Sequence, residues 1–223
     1  MAIPVLVEGK SGSGKTYSLK KFKQDEVGIF SVEKGRLPFK SDLKVVRVPE
    51  NFTSDVKTYA DLNRRRYAWL YQMIERAKVK SLVIDDSQFL MANEMFERAM
   101  EKGYDKFTDM AKNFHDLVHE INKMPQDDKI VYFLHHVEAD TEGILKAKTV
   151  GKMLDSMMVL ESCFDIVIYC ENHQFYTQAN AVSTAKTPEG MFETLDIPND
   201  LKAVDDSIRE YYNIPREGNK EDK

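Results

Sequence analysis

The sequence has little cysteine and no long apolar run. Cys163 and Cys170 are the only cysteines among 223 residues, which argues against a disulfide framework and indicates reduced thiols. No apolar stretch approaches the roughly 18 residues of a membrane span. The first residues also lack the basic region and apolar segment of a secretory signal. We therefore expect a cytoplasmic protein that does not contact a membrane.

The chain also lacks an excess of basic residues. It contains 32 Lys and Arg against 37 Asp and Glu, a net charge of −5. This balance argues mildly against a dedicated, high-affinity binder of duplex DNA, although a local basic groove is still compatible with it. The length suffices for one sizeable α/β domain. We expect that domain over residues 1–213, followed by a charged, flexible tail over 214–223.

Apolar runs alternate with helical patterns along the chain, which predicts an α/β fold with a mostly parallel sheet. The candidate strands cover 3–8, 28–32, 44–48, 81–85, 129–135 and 165–171. A C-terminal β-hairpin is predicted between 167–170 and 174–177. Helices are predicted from Thr58, across 107–121 and from Asn199-Asp200, because apolar residues recur there at spacings of three and four.

One segment has the pattern of a phosphate-binding loop. It fits G-x-x-x-x-G-K-[ST] and reads Gly9-Lys10-Ser11-Gly12-Ser13-Gly14-Lys15-Thr16. It follows an apolar strand and precedes a possible helix start at Tyr17. The glycines let the backbone approach an anion, and the N–H groups then face phosphates. The pattern predicts a phosphate-bearing nucleotide as ligand, with Lys15 on the β- and γ-phosphates and the Thr16 hydroxyl on Mg²⁺.

A second strand supplies acidic partners for such a loop. The run Ser81-Leu82-Val83-Ile84 ends in Asp85-Asp86, which is typical of a Walker B strand. We predict that Asp85 holds Mg²⁺. Glu33 follows strand 28–32, and we expect it to act as a general base on water at the γ-phosphate. Asp86 is the alternative general base, or else a cap on the following turn.

The strand over 129–135 ends in His135-His136. Side chains alternate across a strand, so only one of the two histidines can face the nucleotide. That histidine could contact the γ-phosphate, and at least one of the two is expected to be structural.

These four strand ends together resemble the RecA-like branch of P-loop ATPases. Several short segments also resemble small bacteriophage RecA-like proteins, the ATP-binding recombinases of the single-strand annealing type. These segments are FSVEKG (30–35), LVIDD (82–86), HVE (136–138), KTVGKMLD (148–155) and IPNDL (197–201). The resemblance implies a RecA-like fold and ATP as the nucleotide, with Glu33 as the catalytic glutamate and His136 at a sensor position that is usually Gln.

The resemblance also implies partners. In RecA-like proteins the loop after the sensor strand contacts single-stranded DNA, and here that loop spans 137–152. Its second half is basic and suits a phosphate backbone, through Lys146, Lys148 and Lys152. The alternative is an ordinary mobile lid. We expect a homo-oligomer, as a ring or a filament, and a single-strand-binding protein as a further partner. If a phage encodes the chain, the bacterial host cytoplasm is the expected location.

The function that we expect is ATP hydrolysis on single-stranded DNA during phage-type recombination or strand annealing. A DNA-independent P-loop enzyme, such as a small-molecule kinase, is an alternative, although segment 137–152 lacks the arginines typical of a kinase lid. The other alternative is an interaction module that binds nucleotide and scarcely hydrolyses it.

Overall fold

The structure of the protein, a computed structural model, describes residues 1–33, 35–52, 56–150 and 159–215. Within these residues the fold is α/β, with a mostly parallel central sheet flanked by helices. The strands are β1 (Ile3–Gly9), β2 (Val27–Ser31), β3 (Val45–Arg47), β4 (Ser81–Asp85), β5 (Ile130–Ala139), β6 (Leu145–Ala147), β7 (Ile166–Glu171), β8 (Gln174–Tyr176) and β9 (Asp196–Pro198). The α-helices are α1 (Tyr59–Arg76), α2 (Phe89–Glu97), α3 (Asp105–Asn122) and α4 (Leu201–Tyr211). Two short 3₁₀ helices cover Thr16–Lys21 and Leu160–Cys163.

The sheet order is β3-β2-β4-β5-β1-β7-β8-β9, with β6 paired to the far end of β5. The pairs from β3 to β7 are parallel, whereas β7, β8 and β9 pair in antiparallel fashion. Strand β5 therefore lies between β1 and β4. Because parallel strands end at the same edge, the carboxyl ends of β1, β2, β4 and β5 meet there. The register places Gly9 opposite His136, and Ser31 opposite Asp85.

The core has one apolar layer on each face of the sheet. Strand β1 supplies both, since Leu6 packs into the layer that contains residues of α1, α2 and α3, while Val5 and Val7 pack into the other. That second layer contains Leu19 from the first 3₁₀ helix and residues of α4. Strands buried on both faces explain the continuous apolar runs. Among the described residues, no helix is long and apolar enough to cross a membrane.

Two predicted helix starts are confirmed by their caps. The Thr58 hydroxyl accepts a hydrogen bond from the Asp61 N–H at 3.1 Å, and α1 begins at the next residue. Asp200 caps α4 by accepting from the Ala203 N–H at 3.3 Å. Such caps satisfy backbone N–H groups that the first helical turn leaves without partners. The predicted hairpin of β7 and β8 also forms, although β9 and α4 follow it.

The structure corrects other expectations. The helix after the phosphate-loop pattern is a 3₁₀ helix of six residues. Strands β6 and β9 and helix α2 are additions that the sequence patterns do not predict. The expected loop over 137–152 begins as a β-hairpin, because β5 continues to Ala139 and pairs with β6. Lys152 lies outside the described residues, as does most of the predicted tail.

Candidate functional site

Residues 9–16 form a tight loop between β1 and the first 3₁₀ helix. Gly12 and Gly14 have φ angles of 77° and 112°, in the region that only glycine adopts without strain. A Cβ atom at Gly12 would meet no heavy atom within 4 Å. One at Gly14 would collide with Asn199. Gly12 thus leaves the backbone exposed on its open side, whereas Gly14 allows Asn199 to pack closely against the loop.

Two segments that are distant in the sequence form hydrogen bonds with this loop. The backbone N–H of His173, in the β7–β8 turn, donates to the Ser13 carbonyl oxygen at 2.8 Å. The Cys170 thiol donates to the same oxygen at 3.3 Å, and its burial raises the pKa of the thiol to about 11. The Asn199 side chain donates to the Gly14 carbonyl oxygen at 3.1 Å. These bonds satisfy the loop carbonyls, so the loop has a fixed shape.

Lys15 lies across the loop. Its ammonium group donates to the carbonyl oxygens of Gly9 and Lys10, at 2.7 and 2.9 Å. The residue is only 6% exposed. A buried cation is therefore held inside a turn of backbone, and that arrangement attracts an anion. The Ser13 hydroxyl is also buried there, without a hydrogen-bond partner among the described residues.

Thr16 and Asp85 join the phosphate-loop pattern to strand β4. The Thr16 hydroxyl donates to Asp85 Oδ1 at 2.8 Å. Burial, together with the neighbouring Asp86, raises the pKa of Asp85 to about 6, although Thr16 and Lys15 act in the opposite direction. A buried carboxylate with a raised pKa gains from a cation beside it. The predicted metal residues are thus in direct contact.

Asp86 adopts a strained backbone conformation beside His136. Its φ angle is 60°, in the left-handed region that non-glycine residues visit rarely. Its carboxylate lies 3.4 Å from the His136 imidazole. Gln88, two residues further on, accepts from the His136 backbone N–H at 3.2 Å. Strain of this kind clusters at functional sites, because surrounding contacts must maintain it.

His135 lies on the other face of β5 and is fully buried. One imidazole nitrogen is 2.8 Å from the Ser87 hydroxyl, and the other is 2.8 Å from the Lys148 carbonyl oxygen. Burial lowers its pKa to about 4, so the ring is neutral at pH 7. The structure therefore separates the two histidines as strand alternation predicts. His136 is placed beside Asp86, and His135 joins strand β4 to the segment after β6.

Glu33 follows β2 at the sheet edge where β4 ends. The Val32 N–H donates to the Asp85 carbonyl oxygen at 3.1 Å, and Glu33 is the following residue. Glu33 is half-buried. The predicted general base is therefore at the same edge as the phosphate-loop pattern, one residue past the last contact with strand β4.

Two of the predicted DNA-binding lysines lie on or next to the β5–β6 hairpin. Lys146 is paired with Asp140 across the hairpin at 2.6 Å, and that pair raises the pKa of the amine. Lys148 is exposed, and its backbone N–H donates to the His136 carbonyl oxygen at 2.8 Å. The acidic first half of the segment thus neutralises part of the basic second half.

The residues at this edge fit a magnesium–phosphate ligand. Mg²⁺ usually keeps several waters and takes one or two protein oxygens together with substrate phosphates. Thr16 and Asp85 offer such oxygens beside the Lys15 cation. No group of three or more His, Cys, Asp or Glu side chains that could hold a metal occurs among the described residues.

Several residues at the site were missed by sequence reasoning. Cys170, His173 and Asn199 contact the loop from more than 150 positions away, and no local pattern marks them. Gln88 follows the acidic pair without a recognisable signal. Glu8, next to Gly9, could have been noticed as an acidic residue that ends an apolar strand.

Comparison with known proteins adds no family. No protein-family model matches the chain. A search of curated proteins also finds no match.

Proposed function

We propose that this protein binds ATP with Mg²⁺ and hydrolyses it, as a RecA-like P-loop ATPase that acts on single-stranded DNA. The observation that carries the proposal is the contact between Thr16 and Asp85, 2.8 Å long, beside the buried Lys15 ammonium. An anion-attracting turn and a metal-binding carboxylate are brought together there, as a nucleoside triphosphate with Mg²⁺ requires.

The sheet order supports the RecA-like form of the proposal. Strand β5 lies between β1 and β4, so His136 emerges between the loop and the acidic pair. A side chain there can contact a γ-phosphate. Glu33 ends the neighbouring strand and can orient or deprotonate a water molecule, and Asp86 is the alternative base. When bound, Mg²⁺ would neutralise developing charge on the phosphates.

The DNA part of the proposal depends on the hairpin and on the resemblance. Lys148 is exposed beside the hairpin, and the His135 imidazole connects its carbonyl oxygen to Ser87, next to the acidic pair. Lys152 would contribute a further positive charge. Contacts of this kind bind phosphates without sequence preference and weaken as salt is added. Recombination or strand annealing of phage type is the proposed role, with assembly on the DNA as a homo-oligomer and a single-strand-binding protein as a further partner.

The test is ATP turnover by the purified chain with Mg²⁺, measured alone, with single-stranded oligonucleotide and with duplex. We expect slow hydrolysis that single strands accelerate and duplex does not. Phosphate transfer to an added small acceptor would instead show a kinase. Tight ATP binding without turnover would show a nucleotide-gated module. The absence of ATP binding would overturn the whole proposal.

A further inference from the structure

Three exposed apolar side chains form a knob where α2 meets α3. Phe96, Met100 and Tyr104 are 75%, 94% and 74% exposed. Isolated apolar residues are common on protein surfaces, but here three large exposed side chains lie within nine positions, around the connection between two helices. We call them the Phe96 knob. The proposed ATPase site does not use them, because it lies at the carboxyl edge of the sheet.

The backbone beneath the knob is held firmly by two buried or half-buried cations. Arg98 donates to the carboxylates of Glu94, Glu101 and Asp109, at 2.8, 2.8 and 3.0 Å. Lys106 donates to the carbonyl oxygens of Arg98 and Glu101, at 3.1 and 2.8 Å. The segment therefore loses little further freedom when a partner binds, which favours docking.

A groove of about 750 Å³ runs between α1 and α3. Its apolar wall contains Ala60, Tyr67, Ala68, Tyr71 and Leu117. Arg98 lines the groove and also holds the knob segment. Knob and groove are thus neighbours on one surface, joined by one side chain.

We propose that a second copy of this chain occupies the groove, and that the two copies form a two-fold symmetric dimer. In a two-fold pair the knob of each copy enters the groove of the other, so a surface that carries both features is self-complementary. This inference goes beyond the proposed ATPase function and does not depend on it.

The area fits such a pair. Taking about 200 Å² for each large side chain, the knob exposes roughly 500 Å² per copy. Two knobs would bury roughly 1,000 Å², and the groove walls that they cover add to this, which reaches the lower end of the range for specific interfaces.

The charges along the groove favour the same occupant. Apart from the buried Arg98, its rim carries three cationic residues (Arg64, Arg76 and Lys112) and four anionic ones (Glu75, Asp109, Asp116 and Glu120). Nearly balanced charges can pair across a two-fold axis without strong net repulsion. A nucleic acid or an anionic membrane would instead require a basic excess.

The test is sedimentation of the full chain over a concentration series, without nucleotide or DNA. We expect a monomer–dimer equilibrium. Phe96→Glu should raise the dimer dissociation constant about 30-fold or more. Ala68→Arg, which fills the groove, should do the same. Leu195→Glu is the matched control, since Leu195 is 69% exposed elsewhere on the surface, and it should change nothing. Circular dichroism and the unfolding midpoint verify that each variant folds.

Cysteine cross-linking then tests the pairing itself. Chains with Met100→Cys are mixed with chains with Ala68→Cys and oxidised, and a mixed disulfide dimer is expected. Cross-links formed only between two copies of the Met100→Cys variant would mean that knobs pack on knobs, and would overturn the inference. A monomer at every concentration, an open-ended series of larger species, or no effect of Phe96→Glu would overturn it too. None of these outcomes bears on ATP hydrolysis.

Discussion

The Thr16 hydroxyl donates to Asp85 Oδ1 at 2.8 Å, although the two residues are 69 positions apart. This contact joins the loop after β1 to the end of β4, even though β5 lies between those strands. The first 3₁₀ helix brings Thr16 over the sheet edge, and the buried Asp85 has a pKa raised to about 6. The pair therefore offers a hydroxyl oxygen and a carboxylate oxygen to one cation.

Asp85→Asn should remove the Mg²⁺ dependence of ATP binding. The amide keeps the size of the side chain and its capacity to accept from Thr16, but it loses the negative charge. Titration of ATP in Mg²⁺ and in EDTA should give clearly different affinities for the unmodified chain and nearly equal ones for the variant. Thr16→Ser, which keeps the hydroxyl, is the matched control. A full Mg²⁺ effect in Asp85→Asn would place the metal elsewhere.

Lys15→Ala should abolish measurable ATP binding. Removing the buried ammonium takes away a charge-assisted interaction worth about 2–5 kcal/mol. The affinity for ATP should therefore fall by about 30-fold or more. Lys10 belongs to the same loop but is exposed. Lys10→Ala should therefore bind ATP almost normally in the same calorimetric titration. Equal losses of ATP affinity in both variants would mean that binding depends only on the total positive charge of the loop. Unchanged affinity in Lys15→Ala would contradict a phosphate site.

Glu33→Gln should keep ATP binding and lose about 10²-fold or more in hydrolysis rate, because a positioned base contributes about that much. Asp86→Asn is the companion variant, since its carboxylate lies at the same edge beside His136. Single-turnover rates with saturating ATP and Mg²⁺ separate chemistry from binding. An unchanged rate in Glu33→Gln with a large loss in Asp86→Asn would move the base to Asp86.

The strands and the loop are predictable because local patterns determine them. Continuous apolar runs mark strands that are buried on both faces, and the strand over 81–85 is predicted with its observed bounds. Gly12 and Gly14 stand where the backbone needs φ above zero. Strand alternation also separates His135 from His136. These inferences need only neighbouring residues.

Other features depend on contacts that no local pattern encodes. Asn199 and Cys170 contact the loop because β7 pairs with β1 and brings this part of the chain beside it. Helix α2 is short, and its run of apolar residues could equally have formed a strand. The resemblance implies a loop over 137–152, whereas cross-strand pairs such as Lys146 with Asp140 hold the first part of it as a hairpin.

Lys148→Ala should weaken binding of single-stranded DNA more than Lys146→Ala. Lys146 is already paired with Asp140 at 2.6 Å, whereas Lys148 is exposed. Removal of one lysine–phosphate interaction should reduce the slope of log K against log salt by about 0.7 for a single strand. Fluorescence anisotropy with a labelled oligonucleotide at several salt concentrations measures that slope. A larger effect from Lys146, or identical slopes in all three chains, would contradict DNA binding through Lys148.

Glu8→Gln should change how stability depends on pH. Glu8 is fully buried one residue before the loop, near the Glu161 carboxylate, and both accept from the Thr184 hydroxyl, at 3.1 and 3.2 Å. Burial and Glu161 raise the pKa of Glu8 from 4.5 to about 8. Between those values the folded chain keeps a proton that the unfolded chain releases. This site therefore lowers the free energy of unfolding as pH rises, by at most about 1.4 kcal/mol per pH unit.

The glutamine has no proton to release, so the variant should gain stability relative to the unmodified chain from about pH 5 to about pH 8. Urea unfolding at several pH values measures the difference. Glu138→Gln is the control, because Glu138 is an exposed residue of β5. Its stability should change with pH in the same way as that of the unmodified chain. A parallel profile for Glu8→Gln as well would mean that Glu8 is ionised in the folded state. A second carboxylate charge would then lie near Glu161, and the Thr184 hydroxyl, which donates to both side chains, would have to offset their repulsion.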